Sequence, residues 1–151
     1  MGIDFHRLPV FADLRENYVK LLKPLIETIQ CDAGEFVIRQ DTPADFLYII
    51  LKGKVQISFK PYDGIPITVS HVESGGLFGW SAVIGSEKYT SSAIAIEPLE
   101  AVRIRGGELR KLAENDPDAG QEILNSLAGA VSARWKDARQ QVKLILEKGM
   151  K

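Results

Sequence analysis

The sequence predicts an all-β sandwich or barrel with helices at both ends of the chain, and three observations lead to this prediction. From residue 35 to residue 104, apolar residues alternate with polar ones or form short β-branched runs. Gly, Pro and Asp interrupt these runs at short intervals. Residues 11–30 and 107–148 instead carry apolar residues at helical spacing. Many short strands separated by turn residues are typical of sandwiches and barrels rather than of alternating strand and helix units.

The N-terminal segment, residues 1–32, is predicted to be helical. Its apolar residues recur at intervals of three and four and would form one stripe on a helix. They are Phe11, Leu14, Tyr18, Leu21, Leu22, Leu25, Ile26 and Ile29. Because Pro24 lacks an amide hydrogen and its ring crowds the preceding turn, we expect it to kink this helix or divide it into two.

Six strands are predicted within residues 33–106. They are EFVIRQ, FLYIIL, KVQISFK, IPITVSHV, SSAIAIE and AVRIR. Gly53 separates the second and third strands closely enough for a tight turn. Asp63 and Gly64 both tolerate positive φ, so this pair predicts a hairpin between the third and fourth strands.

Two helices are predicted in residues 107–148. GELRKLAEN forms the first, and the second begins with Asp116 as N-cap and Pro117 in the first helical position. Along the second helix a seam with alternating steps of four and three comprises Leu124, Ala128, Val131, Trp135, Ala138, Val142 and Ile145. Such a seam favours a homodimer in which residues 120–147 of two chains pair, and the alternative is that the helix packs on its own sheet.

Composition excludes several classes of protein. The 151 residues suit one domain, 1–151, and the net charge of −1 provides no general attraction for nucleic acid or an anionic membrane. No apolar run approaches the roughly 20 residues that cross a bilayer, so we expect a cytoplasmic protein. Cys31 is the only cysteine, and His6 and His71 belong to no metal-binding spacing. A haem held by Cys31 and His71 is a remote alternative, and no nucleophile, paired-carboxylate or Walker motif indicates an enzyme.

The string AGEFVIRQDTPADFLYIILKGKVQISF resembles the opening strands of cyclic-nucleotide-binding domains, the sensor modules of catabolite activator-type regulators, kinase regulatory subunits and gated channels. The resemblance implies a double-stranded β-helix, or jelly roll. It also implies a phosphate-binding cassette with a short helix, here residues 77–92, and two following helices of which the second is long and often dimeric. In the family the cyclic phosphate lies at the start of the cassette helix, so cAMP or cGMP is the implied ligand.

The cassette LFGWSAVIGSEKYTSSAIA departs from the family at two positions. The resemblance implies a glutamate for the ribose hydroxyl directly after Gly79, where this chain has Trp80. It implies an arginine for the phosphate at the position of Tyr89. The two aromatic side chains contact a ligand or fill the pocket. The ligand-binding residues predicted on this resemblance are Phe78, Gly79, Trp80, Ser81, Ala82, Tyr89, Thr90 and Ser91.

Taken together, these features predict a non-catalytic regulatory sensor domain that binds a cyclic nucleotide weakly, or another small ligand, and needs no cofactor. It would act as a homodimer, with no nucleic acid or membrane as partner. Two alternatives remain open. One is a ligand-independent interaction or scaffold module of the same fold. The other is a fragment of a transcriptional regulator that lacks its DNA-binding domain.

Overall fold

A computed structural model describes residues 11, 14–61 and 64–129 of the chain. The described chain begins with helix α1 (Glu16–Leu22) and a 3-10 turn (Lys23–Leu25). Eight strands follow: β1 (Ile26–Cys31), β2 (Phe36–Ile38), β3 (Phe46–Lys52), β4 (Lys54–Phe59), β5 (Ile67–Glu73), β6 (Leu77–Phe78), β7 (Ser92–Ala95) and β8 (Leu99–Arg105). Helix α2 (Ser81–Ile84) lies between β6 and β7, and α3 (Gly106–Asn115) and α4 (Pro117–Gly129) follow β8.

The strands form two antiparallel sheets of four strands each. One sheet has the order β1-β8-β3-β6 and the other β2-β7-β4-β5. Consecutive strands alternate between the sheets in part of the chain, as in a roll, and the mainly β class is confirmed. All six predicted strands are present, and β1 and β6 are additional to them.

Two clusters of buried side chains lie on opposite faces of the first sheet. Strand β8 shows the division, because Val102 and Ile104 belong to a helix-facing core with α1, α3 and α4, whereas Leu99 and Ala101 belong to an interior core between the sheets. Alternate residues of a strand point to opposite faces, so one strand supplies both clusters. The first sheet is therefore buried on both sides.

The prediction that residues 1–32 are helical is wrong for residues 26–31, which form strand β1. The helical stripe ends where Pro24 enters the 3-10 turn, and the β-branched Ile26, Thr28 and Ile29 come directly after it. All six residues pair with β8, from Ile26 opposite Ile104 to Cys31 opposite Leu99. The paired residues lie between 68 (Cys31 and Leu99) and 78 (Ile26 and Ile104) positions apart in sequence, so a local periodicity does not reveal this pairing.

The helices after the roll begin as predicted. Asp116 Oδ1 accepts a hydrogen bond of 3.2 Å from the amide of Ala119, which is the geometry of an N-cap, and Pro117 is the first residue of α4. Leu124 and Ala128, the first two residues of the predicted dimer seam, are 1% and 6% exposed within a single chain. They belong to the helix-facing core together with Ile123 and Leu127, so their assignment to a dimer interface is wrong. The rest of the seam, residues 131–145, lies outside the described residues.

Candidate functional site

Gly79 forms the turn that leads from β6 into α2. Its φ is +85°, a conformation that L side chains rarely adopt. A Cβ atom at this position would lie 2.8 Å from the carbonyl oxygen of Phe46 and 3.3 Å from Ile38 Cδ1. Only glycine therefore allows the turn to lie directly against the start of β3.

The one-turn helix α2 uses most of its own first amides. The amide of Ala82 donates to the carbonyl oxygen of Gly79 at 3.2 Å, and that of Val83 donates to the carbonyl oxygen of Trp80 at 2.9 Å. The amide of Ile84 shares the Trp80 carbonyl at 3.3 Å. These bonds close the turn on itself, and few of its N–H groups remain available to a ligand.

The carbonyl end of α2 is held by helix α3. The guanidinium Nη1 of Arg110 donates to the carbonyl oxygen of Ala82 and lies 3.4 Å from that of Val83. Gly106, the first residue of α3, lies so close to Ala82 that a Cβ atom there would overlap its carbonyl group. The amide of Gly106 also donates to the carbonyl oxygen of Asp45 at 2.9 Å. Helices α2 and α3 thus pack as one unit, and displacement of either would disturb the other.

Trp80 is buried between the pocket and the helices. It is 3% exposed and belongs to the helix-facing core, which also contains Val83, Leu109 and Ala113. It borders the pocket as well. A carboxylate at this position would be buried among apolar side chains, which is unfavourable without a cationic partner. Trp80 therefore contributes to the packing contact between the cassette and the helices.

Tyr89 is fixed by its own hydroxyl group. The phenol oxygen accepts a hydrogen bond of 2.9 Å from the amide of Phe46 and donates to the carbonyl oxygen of the same residue. The backbone of Tyr89 also pairs with the loop before β3, since its amide donates to Thr42 at 3.0 Å and its carbonyl accepts from Asp41 at 3.0 Å. Burial raises the pKa of the phenol above that of a free tyrosine. The hydroxyl is thus neutral and fully engaged at neutral pH.

A pocket opens between the cassette and the second sheet. Its empty volume is about 510 Å³ when the part open to solvent is included. The cavity that admits the centre of a water molecule is much smaller, about 50 Å³. Since one water needs about 10–15 Å³ of such space, the enclosed part holds a few waters. The pocket is lined by Ile38, Ile57, Ser70, Val72, Leu77, Phe78, Gly79, Trp80, Ser81, Tyr89, Thr90, Ser91, Ser92 and Ala93.

Seven of the eight residues predicted from the sequence line this pocket, and Ala82 does not. Phe78 is 5% exposed and its ring stacks on Tyr48, with centroids 5.0 Å apart and planes at 7°. The sequence prediction missed the wall from the second sheet, which includes Ile38, Ser70 and Ser92. Alternation along the predicted strands was the signal for these residues, but it does not say which strands face the cassette.

Cys31 and His71 do not line this pocket, and His6 lies outside the described residues. Cys31 is on β1 in the first sheet and His71 is exposed on β5 in the second, so the remote haem pairing joins residues of different sheets. Burial raises the pKa of the Cys31 thiol, and the carboxylates of Glu35 and Asp32 raise it further. Within the described part of the chain, no group of three or more His, Cys, Asp and Glu side chains is arranged to hold a metal ion. Nor does any helix there have the length and apolarity to cross a membrane.

Comparison with known proteins gives one consistent family. The model of the cyclic nucleotide-binding domain matches residues 28–116. A crystal structure from Geobacter metallireducens, described provisionally as a cyclic nucleotide-binding protein, is 32% identical with a TM-score of 0.72 and covers 85% of this chain and 96% of its own. A cyclic nucleotide-binding domain from Methylobacillus flagellatus, 20% identical with a TM-score of 0.73 over 92% of this chain and 78% of its own, shows the same fold.

Two curated relatives are larger proteins. The CRP-like cAMP-activated global transcriptional regulator of Mycobacterium tuberculosis is 26% identical over 122 residues, which are 81% of this chain and 54% of the regulator. A potassium channel protein of Rhodopseudomonas palustris, provisionally named as such, is 27% identical over 124 residues, 82% of this chain and 29% of the channel. The chain thus spans about half or less of the length of these relatives.

Proposed function

The chain belongs to the cyclic nucleotide-binding domain family, and from this premise we propose that it is a non-catalytic regulatory sensor domain. A small ligand binds in the pocket between the cassette and the second sheet. The observation that carries the proposal is the contact between α2 and α3, where Arg110 and Gly106 join the pocket wall to the helices. Ligand binding that favours one position of α2 would then favour one position of the helices.

The path from pocket to helix α4 consists of packed groups. Ser81 begins α2 and lines the pocket, while Ala82 and Val83 in the same turn accept hydrogen bonds from Arg110 of α3. Helix α3 in turn packs on α4, where Gly120 approaches Ala113 so closely that a Cβ atom would not fit. Such close contacts transmit displacement because packed interiors do not compress easily.

Cyclic nucleotides bind weakly in this proposal. Trp80 and Tyr89 occupy the two positions where the family places its charged side chains, and neither supplies a charge. Losing a charged hydrogen bond to phosphate costs about 1.5–3 kcal/mol, which corresponds to roughly a tenfold to hundredfold loss of affinity.

Calorimetric titration with cAMP and cGMP tests this expectation. We expect dissociation constants weaker than micromolar, with thermal stabilisation only at millimolar concentrations. Hydrogen exchange of α3 under those saturating conditions should slow together with that of residues 77–92 if the pocket is coupled to the helices. Micromolar or tighter binding would contradict the role given to the two aromatic residues, and unchanged exchange in α3 would contradict the sensor.

The narrow pocket favours one second candidate, a ligand-independent scaffold of the same fold. Only about 50 Å³ of the pocket admits the centre of a water molecule, and Tyr89 on its wall is 7% exposed and held to Phe46. A scaffold would show no thermal shift with any small molecule, whereas a sensor would be stabilised by its ligand. A further proposal is that the chain is a fragment of a transcriptional regulator that lacks its DNA-binding domain.

Homodimerisation is proposed for the distal part of residues 120–147, because Leu124 and Ala128 are already covered within one chain. In solution, sedimentation of the wild type should give a dimer, and Val142→Asp should shift it towards monomer. An exposed change on α4, Asn125→Asp, is the control. The proposal includes no contact with nucleic acid or membrane, in keeping with the net charge of −1.

A further inference from the structure

The walls of the pocket carry no charge among the described residues that line it. Its apolar side is formed by aliphatic side chains of the second sheet, such as Ile38, Ile57 and Val72. The polar side consists of hydroxyl groups. An anion transferred to such a site loses its hydration and gains no cation in return, which is strongly unfavourable. The composition of the wall therefore favours a ligand that has no charge to desolvate.

Three of the four amides of helix α2 are already bonded within the turn and give little compensation to an anion. The amides of Ala82 and Val83 are already bonded to Gly79 and Trp80, at 3.2 and 2.9 Å. Helix α2 has only four residues, so its dipole is small, because the macrodipole is a sum over aligned peptide units. Lys88, the nearest cation in sequence to Tyr89, is paired by its backbone with Pro43 and is not among the lining residues.

Hydroxyl groups are the polar partners that remain. Ser92 Oγ accepts a hydrogen bond of 2.9 Å from the amide of Gln40, and the phenol of Tyr89 is bonded twice to Phe46. The hydroxyls of Ser70, Thr90 and Ser91 make no hydrogen bond to any described residue. Each can donate one bond and accept others, which suits carbonyl, hydroxyl and amide groups of a neutral molecule.

We infer that this pocket takes an uncharged ligand, with an apolar body against the aliphatic wall and carbonyl, hydroxyl or amide groups towards Ser70, Thr90 and Ser91. The inference rests on the proposed function, since it names the ligand class of the same site. The family resemblance implies that the site recognises the phosphate of a cyclic nucleotide. The inference differs in assigning no role to a phosphate.

Matched pairs of probes that differ by one negative charge test the inference. Adenosine and cAMP form one pair, and small primary amides with their carboxylates supply others in a fragment set screened by ligand-observed NMR. We expect the uncharged member of each binding pair to have at least tenfold higher affinity, and its affinity to be unchanged between 50 and 500 mM NaCl because no ion pair forms. Tighter binding of the anionic members would overturn the inference and leave the sensor function intact.

A variant that adds a cation to the pocket provides a second measurement. Thr90 is exposed and lines the pocket, so Thr90→Arg should raise the affinity for cAMP about tenfold or more relative to adenosine. Thr68→Arg is the matched control, because Thr68 is exposed on β5 outside the pocket. An equal gain in both variants would mean that the added charge attracts cAMP from outside the pocket, so that the uncharged wall does not decide the ligand class, and would overturn the inference. If no probe bound the wild type at all, the sensor function itself would fail, and the inference with it.

Discussion

Trp80 and Tyr89 occupy the two cassette positions where the family resemblance implies charged side chains, and both are aromatic and buried, at 3% and 7% exposure. They are held in different ways. Trp80 is held by packing, since it lies in the helix-facing core beside residues of α3 and α4. Tyr89 is held by polar bonds, since its hydroxyl pairs with both backbone groups of Phe46.

The two aromatic residues therefore have different structural roles. Trp80 joins the start of the cassette to the helices, and Tyr89 joins its end to strand β3. In both cases the protein itself provides a contact where a charged side chain would have pointed to a ligand. Substitutions at the two positions should therefore have different consequences, and the predictions below run from the largest to the smallest.

Trp80→Ala should have the largest effect. Removing the indole leaves a cavity in the helix-facing core, and such truncations cost about 3–5 kcal/mol of unfolding free energy. Urea unfolding monitored by circular dichroism measures the loss. Trp80→Phe is the control that retains an aromatic ring, and it should recover more than half of the stability. A loss below about 1 kcal/mol for the alanine variant would show that packing does not hold this residue.

Tyr89→Phe should cost less, because the ring stays and only the hydroxyl is removed. The amide and carbonyl of Phe46 then lose their partner in a partly buried place. Because an unsatisfied buried group costs about 1–3 kcal/mol, we expect a loss of about 1–2 kcal/mol. Tyr18→Phe is the matched control. Tyr18 is 9% exposed in the helix-facing core, and its hydroxyl makes no hydrogen bond to a described residue. Its change leaves no group without a partner and should stay within about 0.5 kcal/mol. Equal losses in the two variants would contradict the role of the Phe46 bonds.

Arg110→Met tests the joint between α2 and α3. The variant keeps an unbranched apolar side chain but removes the donor to Ala82, and because Arg110 is only half-buried we expect a loss of about 1 kcal/mol. Amide exchange measured by mass spectrometry should accelerate in residues 79–86 and stay unchanged in β4 and β5. Lys111→Met, an exposed neighbour on the same helix, should change neither quantity.

Alkaline pH should have the smallest effect. The pKa of Tyr89 is raised by burial in the folded state, so the folded phenol keeps its proton where the unfolded one releases it. Its contribution is complete below about pH 10, the pKa of a free tyrosine, and is lost as the pH rises further. Urea midpoints measured between pH 9 and 11 should fall less steeply for Tyr89→Phe than for the wild type. Some slope should remain, because burial also raises the pKa of Tyr48.

Much of this fold follows from local pattern, and the exceptions have a physical reason. The strands from Glu35 onwards and the N-cap at Asp116 were predictable because alternation and capping are properties of neighbouring residues. Strand β1 was not predictable from local pattern, because Ile26 and Ile29 also fit a helical stripe. Pairing with the distant strand β8 makes this segment a strand. Leu124 and Ala128 fit a dimer seam for a similar reason. Their spacing predicts an apolar stripe on the helix, but it does not show whether a second chain or the same chain covers that stripe.

The candidate site shows the same limit. The cassette residues from Phe78 to Ser91 follow from the resemblance, and most of them line the pocket. The sheet wall with Ser70 and Ile57 depends on how β4, β5 and β7 lie across from the cassette, which no local motif encodes. The bonds between Tyr89 and Phe46 span 43 positions, and a sequence without coordinates gives only the presence of an aromatic residue.

The position of Trp80 also makes it a built-in optical reporter. The chain has two tryptophans, so Trp135→Phe leaves an indole whose fluorescence arises solely from the contact between cassette and helices. Indole emission moves to longer wavelength when water reaches the ring. A spectrum recorded during a titration would therefore record the opening or closing of that contact without a dye or a label.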